Sequence, residues 1–160
     1  MRLALSAALL ALLADQMAKW WVLTRYDLAH VGRVEVWPPW VAFHIGWNRG
    51  INFGLFGTGG AAQRWFLVLL ALAVGVGVLV WAARSLPRAF DRVFAGFLAG
   101  GAFANALDRL QYGAVLDFLN VSCCGFHNPY AFNPADVFIF LGAAGLALLA
   151  VTGDKKKGAA

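Results

Sequence analysis

Two aspartates, Asp117 and Asp136, have the setting in this sequence that most favours chemistry. Asp117 lies in Val115–Phe118, after a small-residue apolar run, and Asp136 opens the next apolar run. Ionisable side chains at membrane depth are costly and usually face a protein interior or a water-filled cavity. Two carboxylates in contact can share one proton, so that one activates a water while the other donates to a substrate carbonyl. The pair therefore predicts general acid–base catalysis of a hydrolysis.

Each aspartate also has a purely structural interpretation. Asn133 and Pro134 fit the N-cap and first positions of a helix, so Asp136 at the third position could serve only the helix dipole. Asp117 could be an exposed loop residue. For either aspartate alone the structural interpretation is favoured, but the predicted convergence of both on one membrane face reverses that order.

The composition is that of a membrane protein: of 160 residues, 61% are hydrophobic and 13% are charged. Apolar runs of about 18 residues or more are typical of spanning helices. We predict an all-α membrane protein, a single integral membrane domain covering residues 1–160, with four transmembrane helices and a small extracytoplasmic β-rich platform at about residues 25–64. The predicted spans are at about residues 3–22, 65–83, 93–107 and 135–152.

The connection of residues 25–64 is too long to be a simple linker in so small a protein. Val34–Val36 and Trp40–Ile45 carry β-branched and aromatic residues on either side of two prolines, which predicts two short strands and a turn. The Trp47–Gly54 segment that follows has glycines suited to unusual backbone shapes, and by itself it is weak evidence of function.

Asp15 and Lys19 lie in the first apolar run, four residues apart, so they share a helix face and can form an ion pair. Two interpretations stay open: a structural pair against neighbouring helices, or a contribution to a polar site. The run could also be a cleaved signal peptide with Leu3–Leu13 as its apolar core. Its continuation through Trp20 and Trp21 favours a retained span.

Basic residues predict the topology. The short Arg84–Arg92 turn, Arg2 and the Lys155–Lys157 tail all lie in the cytoplasm if both termini do. The third span then exits outward near Asp108 and Arg109, which we expect to form a local ion pair or an interface anchor. Gly113 is expected to break this helix before Val115. Asp117 and Asp136 consequently meet at the outer, periplasmic face at shallow depth. In the same third span, Gly96-x-x-x-Gly100 has the spacing that lets helices approach closely.

Several functional classes are disfavoured. The net charge of +5 comes mostly from single basic residues beside apolar runs, which argues against a nucleic-acid partner. No span core offers a serine–histidine or serine–lysine pair, and no His-Glu-x-x-His motif indicates zinc. Cys123 and Cys124 are adjacent and form no disulfide framework, so we interpret them as incidental loop residues.

Five segments together resemble the lipoprotein signal peptidases, also called signal peptidase II. In chain order they are Asp15-x-x-x-Lys19, Asn48-x-Gly50-x-x-Phe53, Asn105-x-x-Asp108-Arg109, Val115-x-Asp117-Phe118 and Phe132-Asn133-x-Ala135-Asp136. The resemblance covers nearly the whole chain. It implies an aspartic endopeptidase of the bacterial inner membrane that needs no cofactor. Such an enzyme removes signal peptides from prolipoproteins, cutting before a cysteine that carries diacylglycerol.

The resemblance also implies a role for each matched residue. Asp117 and Asp136 would be the catalytic pair, and Gly50 would form the turn beside the site. The residues matching polar positions around the pair and the substrate are Asn48, Asn105, Arg109 and Asn133. The residues matching supporting polar positions are Asp15, Lys19 and Asp108. The implied partners are diacylglyceryl-modified prolipoproteins and membrane lipids, with no obligate protein partner.

A non-enzymatic transport or proton-relay subunit is the alternative function. A relay needs polar residues at successive depths of the bilayer. The second predicted span has no charged residue, and the two aspartates gather at one face, so the sequence favours the enzyme.

Overall fold

The computed structural model describes residues 1–50, 60–125 and 128–157. Residues 51–54 of the predicted Trp47–Gly54 turn, including Phe53 of the Asn48 segment, lie outside the described residues. The chain forms α1 (Arg2–Tyr26), α2 (Leu28–Val31), β1 (Arg33–Trp37), β2 (Val41–Asn48), α3 (Ala61–Ser85), α4 (Ala89–Tyr112), β3 (Val115–Val121) and α5 (Pro134–Lys157). The protein is therefore mostly helical, with one small sheet.

Two of the described helices, α1 and α3, have the length and hydropathy of membrane spans. In α5 the apolar part is shorter, Pro134–Leu149. In α4 glycines and alanines replace large apolar residues, and four charged residues interrupt the helix: Asp91, Arg92, Asp108 and Arg109. Hydropathy thus supports two spans, and the other two remain a prediction.

The helix of the third predicted span, α4, continues past Asp108 and Arg109 to Tyr112. Gly113 ends it with φ 78°, a left-handed conformation that glycine adopts without a steric penalty. The predicted break at Gly113 is therefore confirmed.

Small residues bring α1 against α4. A Cβ at Gly96 would clash with the Ala4 carbonyl oxygen, and a Cβ at Gly100 would clash with the Ala8 carbonyl oxygen. The close helix approach predicted from the spacing of these two glycines is therefore confirmed. Another glycine, Gly101, lies against α5 in the same way, and α3 packs on α4 as well. α4 is consequently the helix that the other three long helices contact.

The sheet is antiparallel with strand order β1-β2-β3. The two predicted strands are confirmed, each slightly longer than expected, and two prolines lie in the turn between them. β3 was not predicted, and it adds a strand from beyond residues 25–64 to the predicted platform. The register sets Gly46 opposite Asp117 and Asn48 opposite Val115, so β2 lies directly beside the first aspartate.

An apolar cluster joins the sheet to the end of α1. Phe43 of β2 and Phe118 of β3 are buried, with ring centroids 5.6 Å apart and nearly perpendicular planes. Val22 of α1 and Leu28 of α2 complete the cluster. Burial of these side chains fixes the sheet over the same end of the helices at which Asp117 lies.

A buried ion network connects the helices below the sheet. Lys19 Nζ lies 2.6 Å from Asp15 Oδ2 and 2.7 Å from Asp108 Oδ2, and all three side chains are almost completely buried. Gln16 donates a further hydrogen bond of 2.8 Å to Asp108 Oδ1. The expected Asp15–Lys19 pair is confirmed. The expected local pairing of Asp108 with Arg109 is wrong, since Asp108 faces α1 and pairs with Lys19.

Each carboxylate of this network also accepts a backbone hydrogen bond from another element. Asp15 Oδ1 accepts from the Ala135 N–H at 2.9 Å, and Asp108 Oδ2 accepts from the Leu116 N–H at 3.0 Å. Ala135 directly precedes Asp136, and Leu116 directly precedes Asp117. The network therefore holds the backbone next to both aspartates, and we call Asp15, Lys19 and Asp108 the lysine clamp.

Replacing Gly100 with alanine tests the close packing of α1 on α4. The added Cβ would lie 2.8 Å from Ala8 Cα and 2.9 Å from Ala11 Cβ, so the helices must separate. We expect the free energy of unfolding to fall by about 1–3 kcal/mol, the usual cost of overpacking. Gly77→Ala is the matched control, because no described atom outside the nearby backbone of its own helix lies within 4 Å of its Cβ position. Thermal unfolding in detergent measures both, and equal stabilities of the two variants would contradict the packing.

Replacing Lys19 with methionine tests the lysine clamp. The substitution leaves two buried carboxylates without their cation, and we expect a loss of about 3–5 kcal/mol in unfolding free energy. Glu35→Gln, which breaks the exposed Arg33–Glu35 pair, should change stability little. Denaturant unfolding followed by tryptophan fluorescence compares them. A Lys19→Met protein as stable as the control would show that the clamp holds nothing together.

Candidate active site

Asp117 lies in the middle of β3 with its side chain buried. Its Oδ1 accepts a hydrogen bond of 2.6 Å from Asn133 Nδ2, and the Asn48 side chain donates a second one. A Cβ at Gly46, on the neighbouring strand, would come within 3.4 Å of the Asp117 carbonyl oxygen. Gly46 therefore packs directly beside the aspartate.

Asp136 lies in the first turn of α5 and exchanges hydrogen bonds with Asn133. The Asp136 N–H donates to Asn133 Oδ1 at 3.0 Å, and the Asn133 N–H donates to Asp136 Oδ2 at 3.3 Å. This reciprocal pair satisfies two N–H groups that the helix itself leaves free. The predicted N-cap is confirmed, and it fixes the Asp136 carboxylate relative to Asn133.

Two asparagine amides bring the aspartates into one hydrogen-bonded cluster. Asn133 Nδ2, which donates to Asp117, also lies 3.3 Å from Asn105 Oδ1. Asn105 Nδ2 in turn donates to Asp136 Oδ1 at 3.0 Å. A path of hydrogen bonds therefore runs from Asp117 through both amides to Asp136. We call these four residues the carboxylate–amide cluster.

The surroundings favour a proton on Asp117, which lies on the sheet outside the helices. Burial, together with the nearby Asp136 carboxylate, raises the pKa of Asp117 to about 6. The hydrogen bonds from Asn48 and Asn133 and the more distant charge of Lys19 act in the opposite direction but do not cancel the rise. Asp117 can therefore gain or lose a proton near neutral pH.

Two further residues border the cluster. The Gly50 N–H donates to Asn48 Oδ1 at 3.0 Å, and Gly50 has φ 93°, so this turn orients the asparagine that contacts Asp117. Arg109 Nη1 donates to the Asn105 carbonyl oxygen at 3.2 Å, while its buried Nε has no hydrogen-bond partner within the described residues.

A mostly apolar cavity of about 230 Å³ opens beside Asn105 and Arg109. It lies between α3, α4 and α5, and its other lining residues are Leu67, Leu70, Ala71, Val74, Leu98, Ala102 and Ile139. The polar lining residues, Asn105 and Arg109, lie at the end of the cavity next to the carboxylate–amide cluster, and the remaining lining is apolar. This arrangement suits an apolar chain with a polar group that must be placed near the aspartates.

The sequence left open whether Asp15 and Lys19 form a structural pair or contribute to a polar site, and the structure shows their contacts. Asp15 and Lys19 are not members of the carboxylate–amide cluster; they act on the backbone beside it through the lysine clamp. Sequence reasoning missed Gln16, which follows Asp15 without any pattern of its own. It also missed Asn120, whose polar side chain within the apolar strand β3 was an available signal.

In residues 1–50, 60–125 and 128–157, no group of three or more His, Cys, Asp or Glu side chains is placed to hold a metal ion. Cys123 and Cys124 are exposed and form no disulfide, and the Cys123 thiol donates a hydrogen bond to Cys124 Sγ. The carboxylate–amide cluster can hold a water between its two carboxylates and move protons to and from that water.

Solved structures with this fold exist. One is described as a bacterial membrane enzyme structure obtained by the in meso method at 2.3 Å resolution, with a TM-score of 0.74 and 23% identity over 96% of this chain and 90% of that one. A second, at 1.9 Å resolution, has a TM-score of 0.77 and 22% identity over 92% and 91% of the two chains. At this level of identity the likeness establishes the fold.

Sequence relatives are closer. A lipoprotein signal peptidase of Methylorubrum extorquens (strain PA1) is 42% identical over 144 residues, covering 88% of this chain and 81% of that protein. Another, of Rhodopseudomonas palustris (strain ATCC BAA-98 / CGA009), is 41% identical over 149 residues, covering 91% and 89%. The family model described as signal peptidase (SPase) II matches residues 7–152. With a match over nearly its whole length and relatives of this identity, the chain belongs to the signal peptidase II family.

Proposed function

We propose that this signal peptidase is an aspartic endopeptidase that removes signal peptides from diacylglyceryl-modified prolipoproteins, with Asp117 and Asp136 as its catalytic residues. The substrate class follows from the relatives, which are named lipoprotein signal peptidases. The observation that carries the catalytic assignment is the Asn133 side chain, which donates to Asp117 and accepts from the Asp136 N–H. Asn105 completes the link to the Asp136 carboxylate. Two acidic groups joined in this way, Asp117 buried and Asp136 partly exposed, are suited to sharing one proton.

The two carboxylates have different roles in this proposal. Asp136, in the first turn of α5, takes a proton from the attacking water. Asp117 carries a proton and donates it to the oxygen of the scissile carbonyl. When the tetrahedral intermediate collapses, Asp136 gives its proton to the leaving nitrogen and Asp117 recovers a proton from the hydroxyl group that becomes the carbonyl again. Because Asp117 must start protonated, the rate should fall as the pH rises through its pKa, which gives the alkaline limb of the pH profile.

Neutral amide side chains are better suited than cations to holding the two carboxylates while Asp117 keeps its proton. Asn105 and Asn133 fix both carboxylates through hydrogen bonds without adding a positive charge. A cation in the same place would lower the pKa of Asp117 by about 1–3 units and remove its proton. The amides therefore give orientation while leaving the acid able to donate.

The apolar cavity beside the cluster is the proposed place of the substrate's apolar segment. Its lining comes from α3, α4 and α5, and its polar end is formed by Asn105 and Arg109. Arg109, whose buried Nε has no hydrogen-bond partner within the described residues, lines this end of the cavity and gives it a positive charge. Placing the chain there directs its scissile bond towards the two aspartates.

For the membrane arrangement we propose four spans in the bacterial inner membrane, with both termini cytoplasmic and the sheet on the periplasmic side. The span-like character of α1 and α3 supports this directly. Arg88 in the short connection between α3 and α4, Arg84 and Arg92 at the adjoining helix ends, and Arg2 support a cytoplasmic location for that end of the helices. The chain would form a single membrane domain.

A proton-relay subunit is the weaker alternative. In α3 the polar side chains lie near its two ends, at Gln63, Arg64, Arg84 and Ser85, so this helix adds no step at intermediate depth. The proteins that this chain resembles are peptidases by name.

The experiment is cleavage of a diacylglyceryl-modified prolipoprotein by the purified protein in detergent, followed by gel mobility. Asp117→Asn and Asp136→Asn should each lower kcat by about 10²-fold or more, because an asparagine cannot accept or return the water's proton. The double variant should be scarcely slower than either single one, since the two groups act as a unit.

Asp27→Asn is the matched control for these variants, because it removes an exposed carboxylate that contacts only His30 among its described ion pairs. It should cleave at the wild-type rate. Near-normal cleavage by Asp117→Asn or by Asp136→Asn, in protein that folds and inserts, would remove that residue from the mechanism.

A further inference from the structure

The connection between β3 and α5 determines where Asn133 lies. Its last residues return along β3: the Leu119 N–H donates to the Phe132 carbonyl oxygen at 2.9 Å, and the Phe132 N–H donates back to the Leu119 carbonyl oxygen at 3.0 Å. Asn133 follows Phe132 directly and donates to Asp117. The placement of that donor therefore depends on how the returning segment is held against the strand.

One buried side chain holds it. Asn120 is completely buried, and its Nδ2 donates to the carbonyl oxygens of Asn128 at 2.8 Å and Tyr130 at 2.7 Å. A side-chain amide carries two hydrogens on one nitrogen, whereas a hydroxyl carries one and a carboxylate carries none. Asn120 can thus satisfy both carbonyl groups from a single position on β3.

Ser122 supports the same arrangement. Its Oγ accepts a hydrogen bond of 3.2 Å from the Asn128 N–H and lies 3.4 Å from Asn120 Oδ1. The Asn128 peptide is therefore held through its carbonyl group by Asn120 and through its N–H by Ser122. Since Asn120 makes the shorter contacts and reaches two residues, it carries most of the restraint.

We propose that Asn120 is a positioning residue for proteolysis: by holding the Asn128 and Tyr130 carbonyl groups, it sets the position from which Asn133 donates to Asp117. Asn120 acts through Asn133 and not on the substrate. This proposal rests on the proposed function in one respect, namely that Asp117 is the proton donor.

Loss of this restraint has a predictable effect on Asp117. The Asn133 hydrogen bond stabilises the charged carboxylate, so weakening it raises the pKa of Asp117 further. The charged groups facing Asp117 are Asp136, Lys19 and Arg109.

Contacts that do not involve Asn120 hold these charged groups. Asp136 accepts from the Asn133 N–H, but its Oδ1 also accepts from Asn105, which Asn120 does not contact. The lysine clamp holds Lys19, and Arg109 donates to the Asn105 carbonyl oxygen. The direction of the pKa change is therefore set by the weakened hydrogen bond.

The test uses the full-length protein with Asn120→Ala and, as a matched control in the same connection, Cys123→Ser at an exposed position. Cleavage of the diacylated prolipoprotein should show kcat lowered about tenfold or more for Asn120→Ala, because small misplacements of catalytic groups are costly. KM should change little. The alkaline limb of the pH profile should move to higher pH, which a simple loss of folded protein would not cause.

A double-mutant cycle separates positioning from an independent effect. If Asn120 acts through Asn133, then adding Asn120→Ala to Asn133→Ala should produce no further loss of kcat. Multiplication of the two losses, or an unchanged kcat and pH profile in Asn120→Ala, would overturn the proposal. If Asn120→Ala does not accumulate, Asn120→Ser retains one donor hydrogen and should show the same changes to a smaller extent.

A readout without substrate keeps the two proposals distinct. Infrared difference spectra of wild-type protein against Asp117→Asn follow the Asp117 carboxyl group, and Asn120→Ala should raise its titration midpoint. A raised midpoint supports Asn120 as a positioning residue even if the wild-type protein does not cleave the prolipoprotein, a result that would overturn the proposed function alone. An unchanged midpoint would overturn the role of Asn120.

Discussion

The position of the site depends on one buried cation. Lys19 lies between the carboxylates of Asp15 and Asp108, and each of these carboxylates accepts the N–H of the residue that precedes one of the two site aspartates. Burying three charges is costly, and such networks contribute little net stability unless their remaining hydrogen-bonding groups are satisfied. Here they are satisfied by the backbone of β3 and α5. The hydrogen bonds that compensate for burying these charges therefore also fix β3 and α5, two elements that are distant in the chain.

In this arrangement charged side chains support the backbone of the site, whereas neutral asparagine side chains contact its two aspartates. The cation lies in the lysine clamp, whereas the carboxylate–amide cluster is held by the side chains of Asn105 and Asn133. An ammonium group at hydrogen-bond distance would keep Asp117 ionised. Separating the two networks gives the protein a rigid site in which the pKa of Asp117 can still be about 6. Small residues on α4 make the separation possible, because they let α1 approach closely enough for Lys19 to reach Asp108.

Local sequence patterns predicted the features that depend on neighbouring residues. The N-cap at Asn133, the Asp15–Lys19 pair and the break at Gly113 each follow from spacing within a few residues. The third strand and the partner of Asp108 did not follow, because both depend on contacts with residues far away in the chain: β3 pairs with β2, and Asp108 pairs with Lys19. The polar side chain of Asn120 within β3 is visible in the sequence, but the two groups to which it donates are backbone carbonyl groups, which every residue has, so its contacts could not be predicted.

The most direct test of the shared-proton site is a pH titration of the Asp117 carboxyl group by infrared difference spectroscopy, in wild-type protein and in Asp136→Asn. In the wild-type protein the carboxyl signal should disappear with a midpoint near pH 6. In Asp136→Asn the midpoint should be lower, because the neighbouring negative charge that raises the pKa of Asp117 is gone. A midpoint at the ordinary value for an aspartate, about 4, that does not respond to Asp136→Asn would contradict the claim that the two carboxylates form one site.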